Sequence, residues 1–195
     1  MKDILITLTL CFLGLVLIAQ ESGDIDLLST DETWRKEAFR FPMAFAQEVN
    51  FDGVADVRFT KGWSDKDSDQ FWSYVFAWHI NIPDPLSESE LENYMKLYFD
   101  GLMNVVNQDK SFEVPPSVTL FSAYEADGES LIKGKIRFYD AFFTKQIMTL
   151  NVIGVYEYCE SDGQSIYFLS LSPQDQDHPV WTHMRKVKIK EDLCK

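Results

Sequence analysis

The chain has 195 residues, of which 46% are hydrophobic and 25% are charged, and its formal net charge is −13. This composition excludes a disordered tail and a collagen-like repeat, and a chain of this length can bury a core without a dense set of disulfides. With 18 basic against 31 acidic residues, the overall field repels phosphate backbones, so we predict that the protein does not bind nucleic acid.

Residues 1–19 have the features of a secretory signal peptide. Lys2 lies in a weakly positive start, residues 4–18 are largely apolar, and Ala19 suits a signal-peptidase cleavage site before Gln20. The alternative is an uncleaved membrane anchor, but the apolar run is shorter than the roughly 20 residues that span a bilayer. We therefore predict an exported protein, secreted or periplasmic, with no stable membrane insertion after cleavage.

The next segment, residues 20–32, is polar, acidic and without periodicity, which predicts a flexible leader before a single domain over 33–195. Hydrophobic residues alternate with smaller or polar ones over 39–45, as in a half-buried strand, and Pro42 limits that strand to a sheet edge. Alternation recurs over 55–59 and is clearest over 71–82. There the large apolar face consists of Trp72, Tyr74, Phe76, Trp78, Ile80 and Ile82.

A helix is predicted from Ser87 to near Asn107. Ser87 followed by Glu90 has the spacing of a capping box, and the apolar residues after it recur at helical intervals. The predicted buried face consists of Leu91, Tyr94, Met95, Tyr98, Leu102, Val105 and Val106. Gly101 weakens the helix interior by roughly 1 kcal/mol relative to alanine.

Four alternating segments follow from residue 117, and short turns such as Asp127-Gly128 and Asp162-Gly163 join them into a predicted antiparallel meander. Asp177 is the predicted cap of a last helix, with Pro179 in its first turn and Val180, Trp181, Met184 and Val187 on one side. The predicted fold class is α+β: a largely antiparallel sheet, made of N-terminal strands plus the four-strand meander, packed by a central helix and a C-terminal helix.

The acidic loop offers a candidate metal site. Asp65, Asp67 and Asp69 have the alternate spacing of carboxylates in a calcium loop. However, Gln70 stands where the turn glycine belongs, and Phe76 stands where a bidentate glutamate belongs. We therefore favour a solvated acidic loop and predict no metal and no other cofactor.

His79 is the candidate catalytic residue. It lies on the small or polar face of its strand, so it could act as a general base if that face lines a cleft. If a helix covers the face, His79 is a structural residue, which is the interpretation we favour. The sequence contains no G-x-S-x-G nucleophile elbow and no glycine-rich phosphate loop, so we assign no catalytic residue.

Trp63 is the candidate ligand-binding residue. Trp34 and Trp63 are the tryptophans in polar sequence surroundings, and Trp63 lies in the acidic loop after Gly62. An exposed indole ring can stack on a ligand.

Two cysteines, Cys159 and Cys194, remain after loss of the signal peptide. In an oxidising compartment they allow one pairing, so we predict a Cys159–Cys194 disulfide. The alternative is a buried Cys159 with a free Cys194 in a disordered tail.

These observations favour an exported, non-catalytic domain that binds a small ligand or a protein partner. The alternative function is a hydrolase of the cell envelope that uses His79 with nearby carboxylates. The two hypotheses differ on whether His79 and an acidic residue converge in a concave pocket.

Overall fold

The computed structural model describes residues 25–160 and 162–194, and the predicted signal peptide lies outside them. The strands are β1 (Leu28–Ser29), β2 (Arg35–Arg40), β3 (Gly53–Phe59), β4 (Tyr74–Ile80), β5 (Val118–Ala126), β6 (Glu129–Tyr139), β7 (Ile147–Cys159), β8 (Gln164–Ser172) and β9 (Lys188–Ile189), and the helices are α1 (Glu88–Val106) and α2 (Pro179–Met184). Neither of these two helices is long and apolar enough to cross a membrane.

Seven strands form one sheet in the order β2-β3-β4-β8-β7-β6-β5, and every neighbouring pair is antiparallel. β1 and β9 form a separate two-stranded sheet. The predicted α+β class and the meander of β5 to β8 are confirmed. At the β5–β6 hairpin, Asp127 and Gly128 both have positive φ, at 54° and 81°, which is the conformation that a two-residue hairpin turn requires.

The sheet is buried on both faces at β4, where every residue is buried. Trp78 and the other even-numbered residues of β4 join the larger core, to which α1 contributes. Val75 and Ala77 join a second core on the opposite face, together with Trp181 of α2. The alternation predicted for β4 therefore separates two cores rather than a core from solvent.

Helix α1 begins as predicted, since Ser87 and Glu90 form a complete capping box, and Asn107 is its C-terminal cap. The buried face is rotated slightly from the prediction. Its buried members are Leu91, Met95, Tyr98, Phe99 and Met103. Val105, which we assigned to this face, is 50% exposed, and Leu102 is partly buried.

Gly101 has a packing role in α1 that the sequence analysis did not predict. A Cβ atom at this position would collide with the backbone carbonyl oxygen of Phe45. The loop after β2 therefore packs directly on the helix backbone. The strand predicted over 39–45 is wrong in its bounds: β2 runs from Arg35 to Arg40 and ends before Pro42, which cannot donate a ladder hydrogen bond. β2 is an edge strand, as predicted.

The opposite edge of the sheet, β5, runs beside α1. Three backbone N–H groups at this edge donate hydrogen bonds to carboxylates of α1. We call these three carboxylates the carboxylate row. The pairs are Ala123 with Glu88 (2.8 Å), Phe121 with Glu92 (2.9 Å) and Ser117 with Asp100 (2.6 Å). Four residues of an α-helix span about 6.0 Å along its axis, and two residues of a strand span about 6.8 Å. Side chains four residues apart on α1 can therefore reach backbone N–H groups two residues apart on the strand.

The prediction of a flexible leader is wrong for its described part, residues 25–32. Ile25, Leu27 and Leu28 are buried in the second core, and Leu28 and Ser29 form β1. The sequence gives no sign of this packing because the partners of the segment lie far along the chain.

A buried charge pair holds that segment. The Asp56 carboxylate is fully buried and accepts two hydrogen bonds from Arg58, each 2.8 Å long. It also accepts from the backbone N–H groups of Leu27 at 2.8 Å and Leu28 at 3.2 Å. Four donors thus satisfy this buried carboxylate, and two of them belong to the segment it anchors.

Helix α2 begins one residue later than the prediction implies. Its N-terminal cap is His178, whose Nδ1 accepts a hydrogen bond from the Val180 N–H at 3.2 Å, and not Asp177. The four apolar residues predicted on one side of this region, Val180, Trp181, Met184 and Val187, are all buried in the second core.

Candidate functional site

A cavity of about 350 Å³ lies beside the first turn of α1. Its walls are the Pro85–Leu86 segment, the start of the helix and parts of β5, β6, β7 and β8. The fully or nearly fully buried side chains among its lining residues are Leu91, Phe121, Ile132 and Tyr167. The cavity is therefore a hollow with an apolar floor between the helix and the sheet.

Tyrosine hydroxyls provide polar groups inside this cavity. The Tyr167 hydroxyl accepts a hydrogen bond of 2.6 Å from the Leu86 N–H, which fixes the segment leading into α1. The Tyr156 ring lies 5.0 Å from the Tyr167 ring, and its hydroxyl is 3.2 Å from Ser165 Oγ. Burial raises the pKa of Tyr167, so this phenol stays protonated at neutral pH.

The charged residues that line the cavity are Glu88 and Glu125, with no lysine, arginine or histidine among the described lining residues. Glu88 accepts from the Ala123 N–H, and Glu125 accepts from Ser130 Oγ. Both carboxylates lie on exposed residues. The cavity therefore has an apolar, aromatic interior beside a rim of negative charge.

His79 does not line this cavity. It lies on the β4 face turned away from α1 and is 9% exposed, with Nε2 at 3.4 Å from Asp162 Oδ2 in the β7–β8 turn. Burial lowers the pKa of His79, and the nearby Asp162 carboxylate partly opposes that shift. His79 is therefore a nearly buried residue with one acidic neighbour.

The two cysteines lie at the same end of the sheet as His79. Cys159 ends β7 and Cys194 follows β9, and their Sγ atoms are within disulfide distance, with the Cα atoms 4.7 Å apart. One ligand atom each from His79, Cys159 and Asp162 lie within 4.8 Å of one another.

The structure does not bring the three carboxylates of the acidic loop together. Asp65, Asp67 and Asp69 are exposed, and the Asp65 carboxylate is used locally, since it accepts from the Asp67 N–H at 3.0 Å. These three are not among the described residues whose ligand atoms converge on one point.

Trp63 is not the exposed stacking platform that we predicted. It packs in an aromatic cluster with ring centroids 4.5 Å from Phe59, 5.5 Å from Trp72 and 5.2 Å from Phe143, and its Nε1 is buried. Trp34 is also buried, at 8% exposure. The polar residues next to Trp34 and Trp63 in the sequence do not indicate their surroundings in the fold. The aromatic partners of Trp63 and the core around Trp34 come from distant segments.

The sequence analysis missed the cavity residues Tyr156 and Tyr167. Tyr156 lies on β7 and Tyr167 on β8, and an alternating strand pattern does not show where a helix leaves a gap. Comparison with protein-family models, with curated proteins and with solved structures finds no match for this chain.

Proposed function

We propose that this chain is an exported, non-catalytic domain that binds a small ligand in the cavity beside the first turn of α1. The observation that supports the proposal is the cavity itself, whose volume of about 350 Å³ falls within the range of small-molecule sites. Its concave shape favours a small ligand over a protein partner. Export is supported by the pattern of residues 1–19 and by a cysteine pair at disulfide distance, which persists in oxidising compartments.

The lining indicates the class of ligand. Leu91, Phe121 and Ile132 favour an apolar body, and the hydroxyls of Tyr156 and Tyr167 can bond to one polar group. Carboxylates at the rim repel anions, whereas aromatic faces attract cations. We therefore expect a neutral or cationic ligand with an aromatic or aliphatic body.

The second candidate function is the hydrolase that uses His79 with a nearby carboxylate. It is favoured by one observation, the 3.4 Å contact between His79 and Asp162. A general base must reach the proton that it removes. Because His79 is nearly buried and lies outside the cavity, we rank ligand binding first.

The test is a fragment screen on the mature protein by protein-observed NMR. The probes include phenethylamine, 2-phenylethanol and phenylacetate, which share an aromatic body and differ in charge. We expect the amine and the alcohol to shift resonances of Tyr156 and Tyr167, and the carboxylate to bind more weakly.

Two matched variants locate the binding. Ala123→Phe adds a ring at an exposed position that lines the cavity, and Ala44→Phe adds the same ring at an exposed position outside the lining. Binding should be lost in the first variant and kept in the second. Binding that survives Ala123→Phe, or a library that perturbs the cavity no more than the rest of the surface, would contradict the proposal.

A further inference from the structure

Three side chains with different metal-binding atoms come together at one end of the sheet, on the face away from α1. His79 lies on β4, Cys159 ends β7, and Asp162 lies in the turn between β7 and β8. Their ligand atoms, one from each residue, are all within 4.8 Å of one another. None of these three residues lines the cavity beside α1.

The fold creates this cluster through β8, which pairs with both β4 and β7. His79 is opposite Ile166, and Cys159 is opposite Gln164 two residues earlier on the same strand. Residues two apart on a strand share a face, so His79 and Cys159 lie on the same side of the sheet. The placement of His79 beside Cys159 is therefore fixed by the sheet register, and the short β7–β8 turn adds Asp162.

The imidazole of His79 has one long contact and no well-formed hydrogen bond at Nε2 among the described residues. Its Nε2 atom is buried and has no hydrogen-bond partner among the described residues, although it faces Asp162 Oδ2 at 3.4 Å. A buried polar atom without a well-formed hydrogen bond costs free energy, and a bound water or ion is one of the ways in which native structures satisfy such an atom. The Asp162 side chain is 35% exposed, so the cluster is accessible from solvent on that side.

The cysteine pair controls whether this cluster can bind a metal. While the Cys159 and Cys194 sulfurs are bonded, neither is a thiolate, and His79 and Asp162 alone make only two ligands. A dithiol reductant cleaves the S–S bond with two electrons and two protons and is itself oxidised to its disulfide. The products are two thiols, Cys159 beside His79 and Cys194 beside Cys159.

We infer that reduction of the Cys159–Cys194 pair opens a zinc site formed by His79 Nε2, the Cys159 thiolate and the Asp162 carboxylate, with the Cys194 thiolate as the fourth ligand. Zinc displaces the thiol protons to solvent as it binds. Two sulfurs, one imidazole nitrogen and one carboxylate oxygen suit zinc and not calcium or magnesium. Ligand atoms on tetrahedral zinc lie about 3.5 Å apart, so the cluster must contract by about 1 Å.

The experiment measures zinc binding in both redox states of the mature protein. The protein is reduced with a phosphine, which takes the oxygen of water and leaves two thiols, and is then transferred to anaerobic buffer. Zinc chloride is titrated against a chromophoric chelator, and cobalt(II) reports thiolate ligation by its charge-transfer absorption. We expect one zinc per reduced chain and binding about 100-fold weaker or absent in the oxidised chain.

Variants separate this site from zinc binding by thiols alone. His79→Ala and Asp162→Asn should each weaken zinc binding to the reduced chain, by about 100-fold and about 10-fold or more. His183→Ala removes a histidine outside the cluster and should leave the affinity unchanged. Asp162→Asn, in an exposed turn, keeps the test valid if His79→Ala does not fold. A reduced wild type that binds no zinc, equal affinity in the oxidised and reduced chains, or unchanged affinity in Asp162→Asn would overturn the inference.

Discussion

The buried pair of Asp56 and Arg58 provides the sharpest test of how the N-terminal segment is held. We predict that Asp56→Ala lowers the free energy of unfolding by about 3–5 kcal/mol. Asp56 is fully buried and Arg58 is 6% exposed, so the change leaves a buried guanidinium without its bidentate partner. It also removes the acceptor of the Leu27 and Leu28 N–H groups.

The size of the loss of unfolding free energy depends on the hydrogen bonds that Arg58 and the backbone of Leu27 and Leu28 can still make. Arg58 keeps a hydrogen bond of 2.7 Å to Asp26 and one of 3.2 Å to the Leu28 carbonyl oxygen, which holds the charge penalty to the lower part of the range. The two orphaned N–H groups add about 1 kcal/mol each unless they reach water, which brings the total to the upper part of the predicted range. They reach water only if residues 25–30 detach, and detachment exposes Leu27 and Leu28, so the loss stays large in either case.

Urea unfolding of wild type and variant, followed by tryptophan fluorescence, measures the loss. Asp67→Ala is the matched control, because it removes an exposed carboxylate that accepts none of the hydrogen bonds described, and it should change the stability by less than about 0.5 kcal/mol. The double variant Asp56→Ala with Arg58→Met should recover part of the loss, because no unpaired charge remains buried. A loss in Asp56→Ala no larger than in the control would refute the reasoning.

Two further predictions concern α1 and the acid stability of the fold. Phe99→Ala should lower the free energy of unfolding by about 3–5 kcal/mol because Phe99 is fully buried. Leu102→Ala should lower it by about 1 kcal/mol because Leu102 is only partly buried. Equal losses of stability in urea unfolding would contradict the assigned helix face. Hydrogen bonds from Lys190 and Lys36 hold the pKa of Asp26 well below its usual range. The contribution of Asp26 to stability is therefore present above about pH 4, and it is lost as the pH falls through the lowered pKa. Asp26→Asn should therefore cost about 1 kcal/mol or less at pH 7, since Asp26 is half exposed, and should flatten the acid dependence of the melting temperature; parallel curves would refute this.

Local signals in the sequence predict the elements of this fold well. The Ser87–Glu90 capping box and the Asp127-Gly128 turn act through residues that are neighbours in the chain, so their meaning does not depend on the rest of the fold. The alternation in β4 is also local, and it correctly separates large apolar residues from small or polar ones. What it does not show is that α2 and residues 25–28 cover the second face.

The site depends on contacts between distant segments, and these are not readable from one sequence. The hydrogen bond from Leu86 to Tyr167 joins residues 81 positions apart, so no pattern near either residue indicates it. Trp63 has polar neighbours in sequence, yet the aromatic rings around it include those of Phe142 and Phe143. His79 was a candidate on its residue type, but its nearness to Cys159 depends on the register of β8 with two other strands.

The carboxylate row along β5 has a consequence for how this protein can assemble with copies of itself. A strand added at β5 would have to displace α1, because the helix already accepts hydrogen bonds from the N–H groups of Phe121 and Ala123 in β5 and of Ser117 just before it. The sheet can therefore grow only at its other edge, the six-residue strand β2. Two copies that join through β2 around a two-fold axis present only β5 edges to the outside. Strand addition thus stops at a dimer and does not continue into a fibre.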